Sequence, residues 1–448
     1  MSNMSRRDFL QVSSAGAALG AGLAGCVTAA RRPPIKRGAR PGKASPNEKI
    51  VIGFIGVAGR GGGHVTSFMG YPDVEVGAIC DVYDKHLQAA AARVGGKAKT
   101  YKDFRQLLDQ KDIDAVVVAT PPHWHALTTI YACQAGKDVY CEKPMCLTPA
   151  EGRAMVKAAR LNHRVTQIGT QIHAGENYHR VVEVVRSGII GKLSAVRCIL
   201  SLNEAPNGIG NPPDSPPPPG LDWDMWLGPV PKVPFNIARF QGGQHRYFAD
   251  LVGSWLHEMG PHIMDLPFWA LRLAPPLSAT AAGGKFATQD ISTIPDTLDV
   301  LYEFPDFIMT WSNMCANSHG LAFHREPGIT RRLGISFHGI NGSVLADYGN
   351  YQVVPEGDRI QGDSQSPGWM SKTRAHDREF LDCVKTRELP SCDVEHHYPL
   401  SVALNLGNIA YKVGRKVRWD AEKECIIGDH EANELVTPNY RKPWVLPT

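Results

Sequence analysis

The chain has 448 residues, 43% of them hydrophobic and 21% charged, and its formal net charge is +4. This composition is that of an ordinary soluble globular protein, and the length exceeds one typical core and predicts two domains. The first 49 residues carry more positive charge than the whole chain has in excess, so the remainder is near neutral to slightly acidic and no basic patch indicates a nucleic-acid partner.

The first 26 residues are predicted to be an export signal. A twin arginine, Arg6 and Arg7, precedes the weakly apolar run AGAALGAGLAG. This run is too short and too rich in glycine to span a bilayer permanently, which needs about 20 apolar residues. The pattern therefore indicates the twin-arginine route. LAGC resembles a lipobox, in which Cys26 would carry a lipid anchor; the alternative is an export signal in which Cys26 is incidental. The expected location is the periplasm, free or as a membrane-anchored lipoprotein.

Residues 27–47 are rich in proline and in basic side chains, without apolar periodicity. They are predicted to form a flexible linker. All cysteines but Cys26 lie beyond this linker, in odd number and without paired or zinc-like spacing. They are expected to be buried, reduced thiols, which fits a route that exports folded proteins.

Residues 48–170 alternate strand-like and helix-like segments. Continuous apolar runs typical of buried parallel strands occur in KIVIGFIGV, DVEVGAIC, IDAVVVAT and KDVYCEKP. The segments between them, such as YKDFRQLLDQ, have helical periodicity. This alternation predicts an α/β fold with a doubly wound parallel sheet of the Rossmann type.

The first strand runs into a glycine-rich turn that is typical of dinucleotide binding. Gly56, Ala58 and Gly61 follow the register G-x-G-x-x-G, with alanine at the middle position, where backbone and pyrophosphate approach closely. The adjacent Gly59 would let the turn adjust. Asp81 ends the second strand about 20 residues later, where a carboxylate accepts hydrogen bonds from ribose hydroxyls. Because Asp81 would repel a 2′-phosphate, the expected cofactor is NAD rather than NADP.

With EKP at residues 142–144, the chain resembles the Gfo/Idh/MocA oxidoreductases, which include glucose-fructose oxidoreductase and inositol dehydrogenase. The resemblance covers nearly everything after the linker, including GFIGVAGRG, ATPPHWH, QIGTQ, LDWDMWLGP, GPHIMD and LGNIAYKVGRKVRWD. It implies that residues 171–448 form an α+β substrate domain with a large, mostly antiparallel sheet, and that the protein is a homo-oligomer. The proline-rich residues 206–220 must form a loop, which either rims a substrate pocket or is a plain surface insertion.

The resemblance implies that Lys143 lies beside the nicotinamide and hydrogen-bonds the reacting hydroxyl. At an apolar strand end near a positive ring, the pKa of this lysine would be lowered, so that it could take the hydroxyl proton. Alternatively Lys143 caps a strand at the surface. Glu142 would hold either Lys143 or a ribose.

The family pattern also implies an acid and a histidine four residues apart near the reacting carbon. Glu258 and His262 fill these positions in GSWLHEMGPHIMD, with Glu where the family has Asp. On a helix both side chains would share one face. The longer Glu side chain would move the carboxylate by about one methylene, which indicates a different hydroxyl or a different reaction. His257 is a further titratable candidate.

Other candidates come from the turns around this site. The predicted cofactor contacts are Gly56, Ala58, Gly59, Arg60, Gly61, Asp81, Thr120, Pro121, His125, Glu142, Lys143 and Gln171. The predicted substrate contacts are His173, Trp226, Arg246 and His257. His125 could instead cap a helix. The spacing of His123, His125, His257 and His262 matches no common zinc motif, so no metal is predicted.

An exported enzyme meets no free dinucleotide, so the cofactor must be bound before export and never released. A dissociation constant below nanomolar requires more than about 12 kcal/mol of binding free energy. Three functions fit. The first is a sugar or glycoside oxidoreductase that recycles its bound NAD. The second is an NAD-dependent glycoside hydrolase that works by oxidation, elimination, water addition and re-reduction. The third is a non-catalytic sugar-binding lipoprotein.

Overall fold

A computed structural model describes residues 49–322, 330–361, 364–368, 370 and 374–447. The predicted signal at residues 1–26, with Arg6, Arg7 and Cys26, lies outside the described residues, as does the predicted linker at residues 27–47.

The N-terminal part is a six-stranded sheet in which all neighbouring strands run parallel. Its strands are β1 (Ile50–Ile55), β2 (Val74–Cys80), β3 (Lys99–Tyr101), β4 (Ala115–Val118), β5 (Asp138–Cys141) and β6 (Thr166–Ile168). The helices between them are α1 (Gly59–Met69), α2 (Asp84–Arg93), α3 (Phe104–Leu108), α4 (His125–Gln134) and α5 (Pro149–Leu161). The order β3-β2-β1-β4-β5-β6 reverses at β1 and β4, and ligands of such sheets bind outside that switch point.

The sequence explains these elements locally. All of β4 and nearly all of β1 are buried, as expected of parallel strands covered by helices on both faces. Helix α5 begins with a capping box, in which Thr148 accepts from the backbone of Glu151 and Glu151 reaches back to Thr148. Pro149 occupies the first turn, where a missing N–H has no consequence.

The C-terminal part is built on a second, larger sheet. Its strands are β7 (Leu193–Ser201), β8 (Ser278–Gly284), β9 (Thr297–Glu303), β10 (Ile308–Met314), β13 (Leu333–Gly339), β14 (Gly342–Ala346), β15 (Tyr351–Pro355), β16 (Val417–Asp420) and β17 (Cys425–Ile426). Two further strands, β11 (Leu321–Ala322) and β12 (Thr330–Arg331), form a separate two-stranded sheet. The nine-stranded order is β15-β14-β13-β7-β10-β9-β8-β16-β17. Only the β7–β10 pair is parallel among the described strand pairs of this sheet, so the predicted fold class is confirmed.

Helices cover one face of this sheet and connect it to the N-terminal part. They are α6 (Glu176–Arg186), α7 (Trp223–Leu227), α8 (Ile237–Phe240), α9 (Ala249–Val252), α10 (Trp255–Ile263), α11 (Asp265–Leu271), α12 (His376–Thr386), α13 (Val394–Val413) and α14 (His430–Glu434). Three short 3-10 turns span Pro122–Trp124, Gln171–Ala174 and Gln241–Tyr247. Burial alternates along β9 and β10, so one face of the sheet packs in the core and the other remains open.

The cysteines agree with the expectation of reduced core thiols. In the described part of the chain all nine are free, and eight of them are buried. A separate search of the described helices finds none with the length and apolar character needed to cross a bilayer.

Candidate active site at the carboxyl end of the parallel sheet

A cleft of about 930 Å³ opens at the carboxyl end of the parallel sheet and is bounded on its other side by the C-terminal part. It brings together most of the predicted site. The predicted residues that line it are Gly56, Ala58, Gly59, Arg60, Asp81, Thr120, Pro121, Glu142, Lys143, Gln171, Trp226, Arg246, Glu258 and His262.

The glycine turn requires glycine at two of its positions. Gly56 has φ +78, and a Cβ there would lie 2.8 Å from the carbonyl oxygen of Ala119. A Cβ on Gly61 would lie 1.9 Å from the carbonyl oxygen of Gly56, so only glycine lets α1 pack against the turn. Ala58 has ordinary extended backbone angles, φ −88 and ψ 170, and its side chain does not cap α1. The missing middle glycine is therefore tolerated, and the first N–H groups of α1 stay free of a side-chain cap.

Asp81 is held rigidly at the end of β2. Its Oδ2 accepts from the backbone N–H of Val57 and its Oδ1 from that of Tyr83, each at 3.0 Å. The ring nitrogen Nδ1 of His86 lies 3.5 Å from Oδ1. Each carboxylate oxygen keeps acceptor capacity for a ribose hydroxyl. Together with the uncapped start of α1, which suits a pyrophosphate, this set of groups fits a dinucleotide.

Glu142 joins the EKP segment to helix α1. Its Oε1 accepts from Arg60 Nε at 3.0 Å and lies 2.7 Å from His64 Nε2, while its Oε2 accepts from the backbone N–H of Lys143 at 3.1 Å. Burial acts to raise the pKa of Glu142, but the hydrogen bond and charge of His64 and the charges of Arg60 and Lys143 hold it well below its usual range. Glu142 thus positions the backbone before Lys143 and does not hold its ammonium group.

Lys143 and Glu258 form a buried ion pair in the cleft. Lys143 Nζ donates to Glu258 Oε1 at 2.8 Å and to the backbone oxygen of Glu258 at 2.9 Å. Their side chains are only 13% and 6% exposed, and Arg246 Nη2 lies 3.7 Å from the same carboxylate oxygen. Burial opposes ionisation, yet the charges of Lys143 and Arg246 and the Lys143 hydrogen bond lower the pKa of Glu258. The site therefore presents an ammonium group held by an ionised carboxylate.

His262 lies one helical turn beyond Glu258 on α10 and faces the same cleft. Burial, followed by the charge of Lys143, lowers the pKa of His262 to about 4. The imidazole is therefore neutral at pH 7 and able to accept a proton. A second cleft histidine, His245, also has its pKa lowered to about 4, mainly by burial.

His64 and His245 were not predicted as site residues from the sequence, although His64 contacts Glu142 and His245 lines the cleft. His64 lies one turn after Arg60 on α1, so the i, i+4 spacing to a predicted site residue was a usable signal. His245 belongs to a 3-10 turn kinked at Gly242 and Gly243, which have φ 58 and 81. That glycine pair beside Arg246 marks an unusual turn, although nothing local shows that the turn faces the cleft.

Trp226 is mostly core and only partly cleft wall. It stacks on Trp223 with ring centroids 4.6 Å apart. Its carbonyl oxygen lies 2.9 Å from His123 Nε2 and accepts from Trp124 Nε1 at 3.1 Å. Burial lowers the pKa of His123 to about 3, so this histidine is a neutral structural group.

Gly61 and His125 do not themselves line the cleft, and each acts through its neighbours. His125 Nδ1 lies 2.7 Å from the carbonyl oxygen of Pro144 and its Nε2 lies 2.8 Å from that of Thr120. The ring thus joins the turn after β4 to the EKP segment, in which the Lys143–Pro144 peptide is cis. Both residues shape the predicted cofactor site from outside it.

His173 and His257, predicted as substrate contacts, face away from the cleft. His257 Nε2 lies 3.1 Å from Asn405 Oδ1, and its other ring nitrogen contacts Asn408 on α13. One residue along a helix is a rotation of about 100°, so His257 points to the core when Glu258 points to the cleft. His173 is buried, with Nε2 3.0 Å from Asp265 Oδ2. Neither ring can touch a ligand in the cleft directly.

Two parts of the chain match models of one protein family. Residues 50–170 match the Gfo/Idh/MocA model described as an oxidoreductase family with an NAD-binding Rossmann fold. Residues 181–272 and 365–446 match the C-terminal alpha/beta domain of the same oxidoreductase family. The predicted NAD-binding Rossmann domain is thus confirmed.

A curated relative is glycosyl hydrolase family 109 protein 1 of Shewanella sp. strain ANA-3, which is 32% identical over 212 residues. This match covers 43% of the present chain and 45% of that protein, so the chain spans less than half the length of the relative it matches.

Two solved structures share the fold. GenD2 from gentamicin A biosynthesis, in complex with NAD, is 20% identical with a TM-score of 0.61 and covers 86% of this chain and 100% of its own. The WlbA dehydrogenase from Bordetella pertussis, in complex with NADH and UDP-GlcNAcA, is 18% identical with a TM-score of 0.62. This match covers 83% of the present chain and 99% of the WlbA chain. With both halves of the chain matched, the protein belongs to the Gfo/Idh/MocA family of NAD-binding oxidoreductases.

Proposed function

We propose that the protein oxidises a hydroxyl group of a sugar or glycoside and keeps its NAD bound throughout turnover. The observation that carries this proposal is the Lys143–Glu258 pair, 2.8 Å long, in the same cleft as the glycine turn and Asp81. The carbohydrate class is supported by the UDP-GlcNAcA bound to the WlbA dehydrogenase and by the glycosyl hydrolase name of the Shewanella relative.

The residues of the turn, with Asp81, would hold the cofactor, and bound NAD would supply the ring that accepts a hydride from the carbon bearing the hydroxyl. Lys143 is placed to accept the proton of the substrate hydroxyl group. It can pass one of its own protons to Glu258 Oε1 while it takes the proton of the substrate. The neutral His262 offers a second acceptor one helical turn away.

Retention of the cofactor is supported by residues 218–222, which we name the latch. They run from the end of the proline-rich loop to the start of α7 and pack against residues 82–84, directly after Asp81, where we place the ribose. Leu221 pairs with Tyr83 in an antiparallel bridge, and the backbone N–H of Asp84 donates to the carbonyl oxygen of Gly220 at 3.1 Å. Pro218 lines the cleft itself. Of the two alternatives for this loop, a pocket rim is therefore favoured over a plain surface insertion.

Weakening the latch should speed the loss of NAD. Gly220 has φ +85, and a Cβ there would lie 2.7 Å from Asp84 Oδ2, so Gly220→Ala should both strain the turn and push the latch away. We expect bound NAD to leave about tenfold faster, equivalent to about 1.4 kcal/mol. The measurement is the NAD remaining in the protein fraction after timed gel filtration.

A matched control is available in the same loop. Gly210 has φ +73, but nothing lies within 4 Å of its Cβ position. Gly210→Ala therefore introduces similar backbone strain without touching the N-terminal part. Equal release rates from the two variants would show that the latch does not retain the cofactor.

A second candidate function is NAD-dependent glycoside hydrolysis, favoured by the Shewanella relatives named as family 109 glycosyl hydrolases. Oxidation of a ring hydroxyl would give a ketone and make the neighbouring C–H acidic. Removal of that proton would expel the aglycone, water would add, and the ketone would be reduced again. This route needs an additional base, and His262 is placed for that role, because it lies one helical turn beyond Glu258 in the same cleft. Its lowered pKa would have to rise in the complex with substrate for it to act as a base.

One experiment separates the two candidates. The protein is incubated with a panel of free sugars and glycosides in deuterated water, while the absorbance of the bound cofactor and the product masses are followed. Net oxidoreduction should yield one oxidised and one reduced sugar from each pair of substrates, with intact glycosidic bonds. Hydrolysis should release the aglycone and leave deuterium beside the oxidised carbon. A silent cofactor spectrum across the whole panel would contradict both and favour a sugar-binding protein.

We also propose export by the twin-arginine route, a lipid anchor at Cys26 and assembly into a homo-oligomer. The first two rest on the sequence of residues 1–26 and on the reduced core cysteines. The oligomer is supported by the open face of the nine-stranded sheet, where Leu301 and Ile308 are exposed. Cell fractionation of the full chain and of Cys26→Ala tests location and anchoring, and light scattering tests assembly.

A further inference from the structure

Behind the cleft, metal-ligating side chains surround one buried carboxylate, Asp265. His173 Nε2 lies 3.0 Å from its Oδ2, and His396 Nε2 lies 3.7 Å from its Oδ1. Within each of two overlapping sets, His173–Asp265–His396 and Asp265–Cys392–His397, the ligand atoms all lie within 4.8 Å of one another. We name these five residues the Asp265 cluster.

The charge of Asp265 lacks a permanent cationic partner. The side chain is fully buried, and the ion pairs that involve it in the described part of the chain are with histidines only. Its Oδ1 and His396 Nε2 are both buried without a hydrogen-bond partner. A buried ionised carboxylate is costly unless it is paired or coordinates a metal. Two unsatisfied ligand atoms that face each other across 3.7 Å are too far apart for a hydrogen bond, but not for two ligands of one ion.

The spacing suits a small divalent ion. Zinc binds imidazole nitrogen at about 2.0–2.1 Å and carboxylate oxygen at about 2.0–2.2 Å. Neighbouring ligands of a four- or six-coordinate ion are then roughly 3.0–3.5 Å apart, close to the observed 3.0 and 3.7 Å. We propose that His173, Asp265 and His396 bind one zinc-type divalent ion. This site shares no residue with His123, His125, His257 and His262, whose spacing matches no zinc motif.

The location indicates a structural role for the ion. Its ligands come from the 3-10 turn Gln171–Ala174, from the start of α11 and from the start of α13. The same turn carries Gln171, and α10, directly before α11, carries His262, and both of these residues line the cleft. An ion at Asp265 would therefore link the 3-10 turn, α11 and α13, and so stabilise the segments next to the cleft-lining residues. The side chain of His396 is 20% exposed, which provides a path for the ion.

The test measures metal directly, without reference to activity. The full-length protein is purified without chelators and its metal content is determined by mass spectrometry. It is then stripped with a chelator and titrated with Co²⁺, which absorbs visible light when held by nitrogen and oxygen ligands. We expect close to one ion per chain. Asp265→Asn and His396→Gln should each weaken Co²⁺ binding by more than about 100-fold, since even changes beyond the ligands themselves cost about 10–100-fold.

His179→Gln is the matched control, because His179 contributes no ligand atom to the cluster. His179 packs against Trp269, and its Nε2 lies 2.7 Å from the carbonyl oxygen of His173, to which a glutamine can still donate. This variant should keep the metal. If Asp265→Asn fails to fold, the partly exposed His396→Gln decides alone. Metal content far below one per chain with no cobalt spectrum, or equal Co²⁺ binding by wild type and His396→Gln, would overturn the proposal.

Discussion

Lys143→Ala should abolish turnover while leaving NAD in place. Proton transfer by a positioned side chain contributes about 10²–10⁴-fold to rate, and Lys143 donates a hydrogen bond to Glu258 in the cleft that both residues line. We expect the rate of reduction of bound NAD by an active substrate to fall by that range. The contacts proposed to hold the cofactor, from Gly56, Asp81 and the latch, do not involve the lysine side chain. NAD released by acid and quantified by chromatography should therefore match the wild type.

Two further variants make this result specific. Glu258→Gln keeps the shape and a hydrogen-bond acceptor for Lys143 but removes the negative charge that can take up a proton, so it should lose most of the rate. Glu258→Asp keeps the charge with a shorter side chain and should recover part of the rate. Lys99→Ala is the control, because Lys99 is 52% exposed, pairs with Asp112, and does not line the cleft. Full activity in Lys143→Ala would remove the proton relay from the mechanism. Loss of NAD together with activity would assign the lysine to cofactor binding instead.

Mild acid should destabilise the fold steeply. Burial is the main cause that lowers the pKa of five histidines, to about 3 for His123 and His257 and to about 4 for His245, His262 and His397. In the unfolded chain each would titrate near 6.5. As pH falls below about 6.5, the unfolded state takes up protons that the folded state does not. Stability is thus full above that pH and is lost as pH falls toward 4.

The change in the free energy of unfolding per pH unit has an upper limit that follows from the number of these histidines. Each such histidine contributes up to about 1.4 kcal/mol per pH unit, so five together give up to about 7 kcal/mol per unit. Since native stability is typically about 5–15 kcal/mol, we expect unfolding to begin well above pH 4. Denaturant titrations at pH 7.5, 6.5 and 5.5 would measure the free energy of unfolding. The change between the last two values should greatly exceed that between the first two.

Single-residue variants test whether these histidines cause the loss of stability in acid. His123→Gln keeps a polar side chain near the Trp226 carbonyl and should reduce the acid slope by about one proton. His430→Gln is the control, because His430 is 93% exposed, and it should leave the slope unchanged. A free energy of unfolding that stays flat down to pH 5.5 would mean that these histidines are not neutral in the fold.

The parts of the fold that could be predicted are those that depend on residues close together in the sequence. The continuous apolar runs of β1 and β4 and the glycine spacing are properties of a few adjacent residues. The prediction that Glu258 and His262 share a face depends only on helical periodicity, and both line the cleft. Gly56 and Gly61 were predicted for the same reason, since a tight turn leaves room for no side chain at those positions.

The parts that could not be predicted depend on which distant elements meet. His64 becomes important only because β5 brings Glu142 beside α1. His173 lies two residues after Gln171, but the packing of Trp269 against its ring, with centroids 4.1 Å apart, turns it away from the cleft. The latch, likewise, is visible only when residues 218–222 are seen beside Tyr83.

The latch also imposes a sequence of events on biosynthesis. Its residues follow Tyr83 by well over a hundred positions in the sequence. The ribosome therefore completes the whole dinucleotide domain before the latch is synthesised. We expect the cofactor to enter during that interval, and the closed latch would then retain it during the export that we propose. Denatured chains refolded with NAD present from the start should therefore load fully, whereas chains given NAD only after refolding should fill slowly. Equal filling in both orders would contradict this view.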